Sequence, residues 1–218
     1  MDLSVFIYKI SYWTIPVLFA ITLHEVAHGW MARYFGDRTA EMLGRLSLNP
    51  LRHIDPVGTV LVPGILLAAN GMLFGWAKPV PVATKALRNP RLAGILVALA
   101  GPVANFAMAG LWCAVLAGIV RVSGNETLIS WIGAMALAGI TINVVLALFN
   151  LLPIPPLDGG RVLAGLLPSH WGARIEKLEP IGLLLVVGLS VFGLLGWLFD
   201  PAVHTMGRVI HDVMGPGA

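Results

Sequence analysis

Residues 21–30 have the sequence ITLHEVAHGW and place a His-Glu-x-x-His motif at the end of an apolar segment that begins at Leu3. On an α-helix, positions four apart differ by about 40° in azimuth and about 6 Å in rise, so His24 and His28 can bind one metal ion. Glu25 lies about 100° around the helix from His24, where its carboxylate can take a proton from water without being a ligand. The spacing therefore predicts half of a tetrahedral zinc site with a general base beside it.

The position of this motif strengthens the metal-site interpretation. An ionisable side chain at membrane depth costs about 2.5–3.5 kcal/mol on insertion scales, so a cluster of three requires a compensating role. The alternative is that the motif arose by chance and that both histidines are ordinary polar residues facing a helix bundle. The combined spacing and location favour the metal site.

The composition indicates an integral membrane protein. Of the 218 residues, 57% are hydrophobic and only 11% are charged, and the mean hydropathy is +0.85. Several segments reach the roughly 20 apolar residues that a spanning helix needs. They are residues 3–23, 56–77, 92–120, 128–157 and 180–199. We expect an all-α polytopic membrane protein, a bundle of about four to six transmembrane helices with a re-entrant hairpin or short extended segment near the active site.

Charge and cysteine content exclude other classes. The net charge is +3, but the basic residues are scattered and do not alternate with aromatic residues, so no nucleic acid partner is expected. The single cysteine, Cys113, lies within an apolar segment, so neither a disulfide framework nor a cysteine metal site is predicted. No linker, repeat or low-complexity segment divides the chain, which predicts one domain over residues 1–218.

Basic residues predict the orientation of the first helix. This helix is expected from Leu3 to Tyr34, with Gly36 as its terminator. Four arginines follow the His-Glu-x-x-His motif, at positions 33, 38, 45 and 52, and the positive-inside rule places them in the cytoplasm. The protein is therefore expected to lie in the cell membrane, with its N-terminus outside and its active site towards the cytoplasmic side.

The segment Pro56–Ala77 decides the rest of the topology. If it crossed the membrane, the basic residues after it would lie outside, and Asp158 would lie on the face opposite His24. We therefore favour a re-entrant hairpin that turns near Pro63–Gly64 or Asn70–Gly71, since irregular backbone is tolerated where it lines a cavity. Residues 75–82 are then expected to form an extended strand. Whether the segment spans the membrane or re-enters is left open.

The later segments are assigned by the same rules. Residues 92–120, 128–152 and 180–199 are expected to cross the membrane, and residues 201–214 to form a short interfacial helix. His204 and His211 lie in that last helix, where solvated surface histidines are the ordinary interpretation.

Asp158 is the best candidate for a third metal ligand, because a catalytic zinc ion usually has three protein ligands. It lies in the sequence NLLPIPPLDGGR at residues 150–161, where three prolines prevent a regular helix and two glycines permit a tight turn. The alternative is that Asp158 caps the N-terminus of a following helix.

Three motifs in this order resemble the site-2 protease family of intramembrane zinc metalloproteases (peptidase family M50), in its short prokaryotic form without a PDZ or CBS domain. They are His24-Glu25-x-x-His28, Gly101-Pro102-x-x-Asn105 and Asn150-x-x-Pro153-x-Pro155-x-Leu157-Asp158-Gly159. The resemblance covers nearly the whole chain.

The resemblance implies a function and a set of site residues. It implies that His24, His28 and Asp158 bind one Zn²⁺ per chain, that Glu25 is catalytic, and that Asn150 helps to hold the substrate or the developing oxyanion. The expected activity is hydrolysis of a peptide bond in or near a transmembrane segment of a membrane-protein substrate, within the lipid bilayer, as in regulated intramembrane proteolysis.

Two further asparagines are expected to be structural. Asn143 shares a helix face with Asn150 and is predicted to form a helix–helix hydrogen bond. Asn105 is predicted to make one polar contact on a close-packed face that includes Gly101. For His53, a hydrogen bond that orders its loop is the simplest interpretation.

Two other classes of function remain as alternatives. A metal-binding membrane transporter would use the His and Asp cluster as a transit site. A non-catalytic membrane scaffold would retain the motif without activity. Replacement of Glu25 by Gln separates these classes, because only a protease should lose its activity. The sequence does not predict the substrate, a requirement for prior cleavage, or the oligomeric state.

Overall fold

The computed structural model describes residues 3–61, 78–119, 121 and 126–214. Its helices are α1 (Leu3–Tyr34), α2 (Thr39–Met42), α3 (Pro90–Ile119), α4 (Glu126–Asn150), α5 (Asp158–Leu166), α6 (Ser169–Glu176), α7 (Glu179–Val191) and α8 (Leu194–Met214). Shorter helical turns cover Pro50–Arg52, Pro56–Leu61 and Thr84–Ala86. The described residues contain no β-strand, which confirms the all-α class.

Three helices form the central bundle. Within the described ranges, α1, α3 and α4 are the helices long and apolar enough to cross a membrane, and each packs against the other two. Small residues let them approach closely: a Cβ added to Gly139 of α4 would lie 2.4 Å from the indole of Trp112 of α3. Close packing of this kind, rather than water exclusion, holds helices together in lipid. The chain is an integral membrane protein, as its composition predicts.

The end of α1 confirms the predicted terminator. Gly36 has a φ of +104°, in the left-handed region that favours glycine. The amide of Gly36 donates to the carbonyl of Arg33, and the amide of Asp37 donates to the carbonyl of Ala32, at 3.0 Å each. These two bonds form a Schellman motif, which satisfies the last carbonyls of the helix.

Helix α5 packs on α3 and carries Asp158 at its first position. The Arg91 side chain of α3 donates to the carbonyls of Gly165 and Leu166, at 2.8 and 2.9 Å, and so satisfies the end of α5. At the start of α5, a Cβ added to Gly159 would lie 2.2 Å from the carbonyl oxygen of Leu151. The glycine therefore allows the proline-rich loop to fold tightly against the residue that follows Asp158.

Two expectations for the C-terminal part were wrong in detail. The segment expected to cross at residues 180–199 is divided into α7 and α8, because Gly193 adopts a φ of +71°. The expected interfacial helix at residues 201–214 is the second part of α8, which begins at Leu194 and continues through Pro201.

The segment Pro56–Ala77 is described only at its start. Residues 56–61 form a helical turn, whereas the expected hairpin turns near Pro63–Gly64 and Asn70–Gly71 lie outside the described residues. Residues 78–83 are described, and they lie in an irregular segment rather than in the expected strand.

Candidate metal centre

His24, His28 and Asp158 meet inside the helix bundle. Their side chains come from two turns of α1 and from the first residue of α5, and the residues are 7%, 7% and 5% exposed. The two Nε2 atoms are 3.0 Å apart, and Asp158 Oδ2 lies 3.2 Å from His24 Nε2 and 3.3 Å from His28 Nε2. Asp158 lies 130 and 134 positions along the chain from His28 and His24, yet the fold brings the three ligand atoms to one point.

Hydrogen bonds on the far side of each ring fix the histidine tautomers. His28 Nδ1 lies 2.7 Å from the carbonyl oxygen of Val97, which can only accept, so Nδ1 carries the proton. His24 Nδ1 lies 2.6 Å from Asn105 Oδ1, which also accepts. When both imidazoles are neutral, their Nε2 atoms present lone pairs, and Asp158 Oδ2 receives no hydrogen bond. Three buried acceptors facing one another repel unless a cation lies between them.

The size of this cluster fits zinc. A tetrahedral zinc ion with bonds of about 2.0–2.2 Å holds its ligand atoms about 3.3–3.5 Å apart. The three observed separations are 3.0–3.3 Å, close to that value. Two imidazoles and one carboxylate also leave a fourth position for water or substrate, as in catalytic zinc sites.

Gly101 of α3 makes room for the two imidazoles. A Cβ added at this position would lie 2.5 Å from His28 Nε2 and 2.6 Å from His24 Cε1. Any side chain here would therefore occupy the space in which the ligand atoms converge. The glycine of the Gly-Pro-x-x-Asn motif is needed for the metal centre as well as for helix packing.

A buried asparagine network orients His24. Asn105 Nδ2 donates to the Ala20 carbonyl at 3.1 Å and to Asn143 Oδ1 at 2.8 Å, which turns Asn105 Oδ1 towards His24. Asn143 Nδ2 donates in turn to the Gly139 carbonyl at 2.8 Å. Asn143 thus makes the predicted helix–helix hydrogen bond. Asn105 was predicted to be structural, yet its contact with a candidate ligand also makes it part of the site.

Glu25 follows His24 on α1 and is partly buried. Its Oε2 accepts a hydrogen bond of 2.8 Å from the backbone amide of Val80. The segment that contains Val80 therefore passes directly beside the candidate general base. No sequence pattern singles out Val80, because the contact joins positions 55 residues apart.

Asn150 is the last residue of α4, and its Nδ2 donates to the Leu146 carbonyl of the same helix at 3.0 Å. Among the residues that the structure describes, no hydrogen bond or ion pair joins Asn150 to His24, His28 or Asp158. Asp158, in turn, is not the helix cap considered as its alternative role, because Leu157 occupies the N-cap and no side chain makes a capping bond there.

The helical bundle and its group of two histidines and one aspartate define an integral membrane protein with an internal cluster of side chains that could hold a metal ion. The sequence model for peptidase family M50 matches residues 112–192. The chain is 39% identical to YwhC of Bacillus subtilis over 88% of this chain and 86% of that protein. It is 32% identical to Rip2 of Mycolicibacterium smegmatis over 90% of this chain and 74% of that protein. Both relatives are named as zinc metalloproteases. No solved structure matches the chain.

The chain therefore belongs to peptidase family M50, the site-2 protease family. It is a metalloendopeptidase with zinc as its cofactor. The part of the chain matched by the family model contains Asp158 and Asn150 but not the His-Glu-x-x-His motif. The longer similarity to YwhC and Rip2 extends over most of the chain.

Proposed function

We propose that this protein hydrolyses a peptide bond in or near a transmembrane segment of another membrane protein. The observation that carries this proposal is the convergence of two imidazole nitrogens and one carboxylate oxygen inside a bundle of helices long enough to span a membrane, with Glu25 next to His24 in the sequence. A soluble substrate would not require the site to lie among helices of this length and apolarity.

His24, His28 and Asp158 are the proposed metal ligands. The bound zinc ion would act as a Lewis acid, polarising the scissile carbonyl and lowering the pKa of an attacking water molecule. The hydrogen bonds from His24 to Asn105 and from His28 to Val97 keep both Nε2 lone pairs directed at the ion. The three proposed ligand residues are buried, which limits the access of bulk water to the ion.

Glu25 is the proposed general base. Its carboxylate takes a proton from the attacking water and later gives it to the amine of the leaving group. The Val80 amide holds Oε2, so Oε1 is the oxygen available for this proton transfer. Asn150 is proposed to stabilise the oxyanion that develops on the carbonyl, because its amide retains a second hydrogen after donating to Leu146.

The proposed substrate is an apolar helix that must unwind locally. Its carbonyls are hydrogen-bonded within the helix, so glycine, proline or asparagine near the cut should increase the rate. The arginines in the last turn of α1 and after it, at positions 33, 38, 45 and 52, support an active site towards the cytoplasmic side of the cell membrane.

The test uses purified protein reconstituted with zinc in lipid vesicles. The probe is a set of synthetic single-span peptides, each with one Gly-Pro pair at a different depth, and mass spectrometry detects the products. The wild type should cut peptides whose pair lies near the cytoplasmic end. Glu25→Gln should retain zinc and lose at least about 100-fold in rate, the scale expected of a general base.

The outcomes separate the alternatives. Zinc-dependent cleavage by the wild type that Glu25→Gln abolishes supports the proposal. Peptides left intact, together with zinc uptake into the vesicles that Glu25→Gln does not change, would favour a transporter. Binding of the peptides without cleavage or uptake would favour a scaffold, and either result would refute the protease proposal.

A further inference from the structure

Residues 78–83, here called the strap, pass Glu25 and contact two other segments. Lys78 contacts residues 44–53, here called the arginine-rich loop, and Ala83 contacts Asp37, just after α1. The strap has the sequence KPVPVA. Proline lacks an amide hydrogen and restricts the residue before it to extended conformations, so Pro79 and Pro81 make this segment stiff. Val80 is the only residue between Lys78 and Val82 with a backbone donor. That one donor is bound to Glu25 Oε2.

The arginine-rich loop holds Lys78 through both of the Lys78 backbone polar groups. The Lys78 amide donates to the His53 carbonyl at 2.9 Å. The Lys78 carbonyl accepts from Arg45 Nη2 at 2.7 Å, while Arg45 Nη1 donates to the Arg52 carbonyl. The arginine fork therefore joins the loop to the strap two residues before Val80.

His53 orders the same loop. It is 2% exposed, and its Nε2 donates to the Ser47 carbonyl at 2.8 Å. This bond closes residues 47–53 into a compact turn, so that the His53 carbonyl can receive the Lys78 amide. The loop-ordering role expected for His53 is thus the one that its contacts support.

Asp37 holds the other end of the strap. Its Oδ2 accepts from the Ala83 amide at 2.6 Å, and its Oδ1 accepts from the Thr39 amide at 2.9 Å and from the Thr39 hydroxyl. Burial alone would raise the pKa of Asp37, but hydrogen bonds from Thr39 and Ala83 outweigh burial and lower this pKa. The carboxylate is therefore charged at neutral pH and binds the strap through the Ala83 amide.

We propose that Arg45 and Asp37 are positioning residues for Glu25, which they influence through the backbone of the strap. With Lys78 and Ala83 both held, the Val80 amide points at Glu25 Oε2 and turns Oε1 towards the reacting water. This inference rests on the proposed function, in which Glu25 is the general base. It gives the arginine-rich loop a role in the reaction without contact with substrate or metal.

Hydrogen exchange at the Val80 amide tests whether Arg45 holds the strap against Glu25. Because Pro79 and Pro81 have no amide hydrogen, deuterium uptake between Lys78 and Val82 reports Val80 alone. We would compare wild type, Arg45→Met and Arg52→Ala in lipid nanodiscs. Arg52→Ala is the matched control, because the Arg52 side chain donates to the Gly44 carbonyl within the loop and leaves the bond from Arg45 to the strap in place.

Arg45→Met should raise the exchange rate of Val80 at least about tenfold, as should Glu25→Ala, which removes the acceptor. Arg45→Met should also lower kcat about 10- to 100-fold on the synthetic peptide that the wild type cuts fastest. This is the effect expected when a catalytic group is misplaced by about 1 Å. Zinc content and KM should stay at wild-type values, because neither the ligands nor the substrate is touched. Arg52→Ala should match the wild type within about twofold.

Several outcomes overturn the proposal. One is wild-type exchange of Val80 in Arg45→Met, and another is faster exchange with unchanged kcat. If Arg45→Met does not fold, Arg45→Gln replaces it. The glutamine side chain is two bonds shorter than arginine and cannot reach both carbonyls, so wild-type exchange and kcat in Arg45→Gln would also overturn the proposal. If the wild type cuts none of the peptides, the protease proposal fails, while the exchange comparison still decides whether Arg45 holds Val80 on Glu25.

Discussion

Replacement of Gly101 by alanine is the sharpest single test of the metal centre. The added methyl carbon would lie 2.5 Å from His28 Nε2 and 2.6 Å from His24 Cε1. Ordinary contacts of this kind are about 3.5 Å or longer, so roughly 1 Å of overlap must be relieved. The rings cannot swing away freely, because His24 is bonded to Asn105 and His28 to the Val97 carbonyl, at 2.6 and 2.7 Å.

Relief of this overlap should separate the ligand atoms or break one of the two orienting hydrogen bonds. Loss of such a bond typically weakens metal affinity about 10- to 100-fold. We therefore expect Gly101→Ala to bind zinc at least about tenfold more weakly than the wild type in a competition assay with a fluorescent chelator. Peptide cleavage at limiting zinc should fall in parallel.

Two glycines of the same helix provide controls. A Cβ added to Gly94 or Gly110 of α3 would meet no atom within 4 Å. Gly94→Ala and Gly110→Ala should therefore keep wild-type zinc affinity. Wild-type affinity in Gly101→Ala would refute the argument, because it would mean that the ligand atoms do not converge beside this glycine. Equal losses in all three variants would point to a general effect on α3 instead.

Three further predictions test other parts of the site. Zinc per chain should be near one in the wild type and in Glu25→Gln but should fall sharply in Asp158→Ala; full zinc in Asp158→Ala would contradict the ligand assignment. Asn105→Leu removes the acceptor that fixes the His24 tautomer, so zinc affinity measured by chelator competition should drop about 10- to 100-fold, and unchanged affinity would exclude this role. The pKa of Asp37 is lowered in the folded protein, so the Asp37 carboxylate adds to the free energy of unfolding above the unfolded-state pKa. This contribution is lost as the pH falls through the folded-state pKa. The difference in melting temperature between wild type and Asp37→Asn should therefore be largest near pH 6 and shrink below about pH 4, and a pH-independent difference would contradict it.

Local patterns account for what could be predicted along single helices. The four-residue spacing of His24 and His28 puts them on one face of any helix, and the run of apolar residues before them requires a spanning helix. The end of α1 at Gly36 follows from the freedom of glycine to adopt a positive φ. The break at Gly193 was missed, because a glycine within an apolar segment is compatible with both a continuous and an interrupted helix.

The sequence by itself determined the class of protein, the positions of the spanning segments that form the bundle, and the residue types suited to a zinc ligand set. Only the tertiary structure decided which distant groups complete the site: Asn105 behind His24, Gly101 in front of the two rings, and Val80 on Glu25. These contacts join positions 55 to 81 residues apart. Helical periodicity relates neighbours within a few turns, whereas the pairing of distant residues depends on how the helices pack, which no local pattern records.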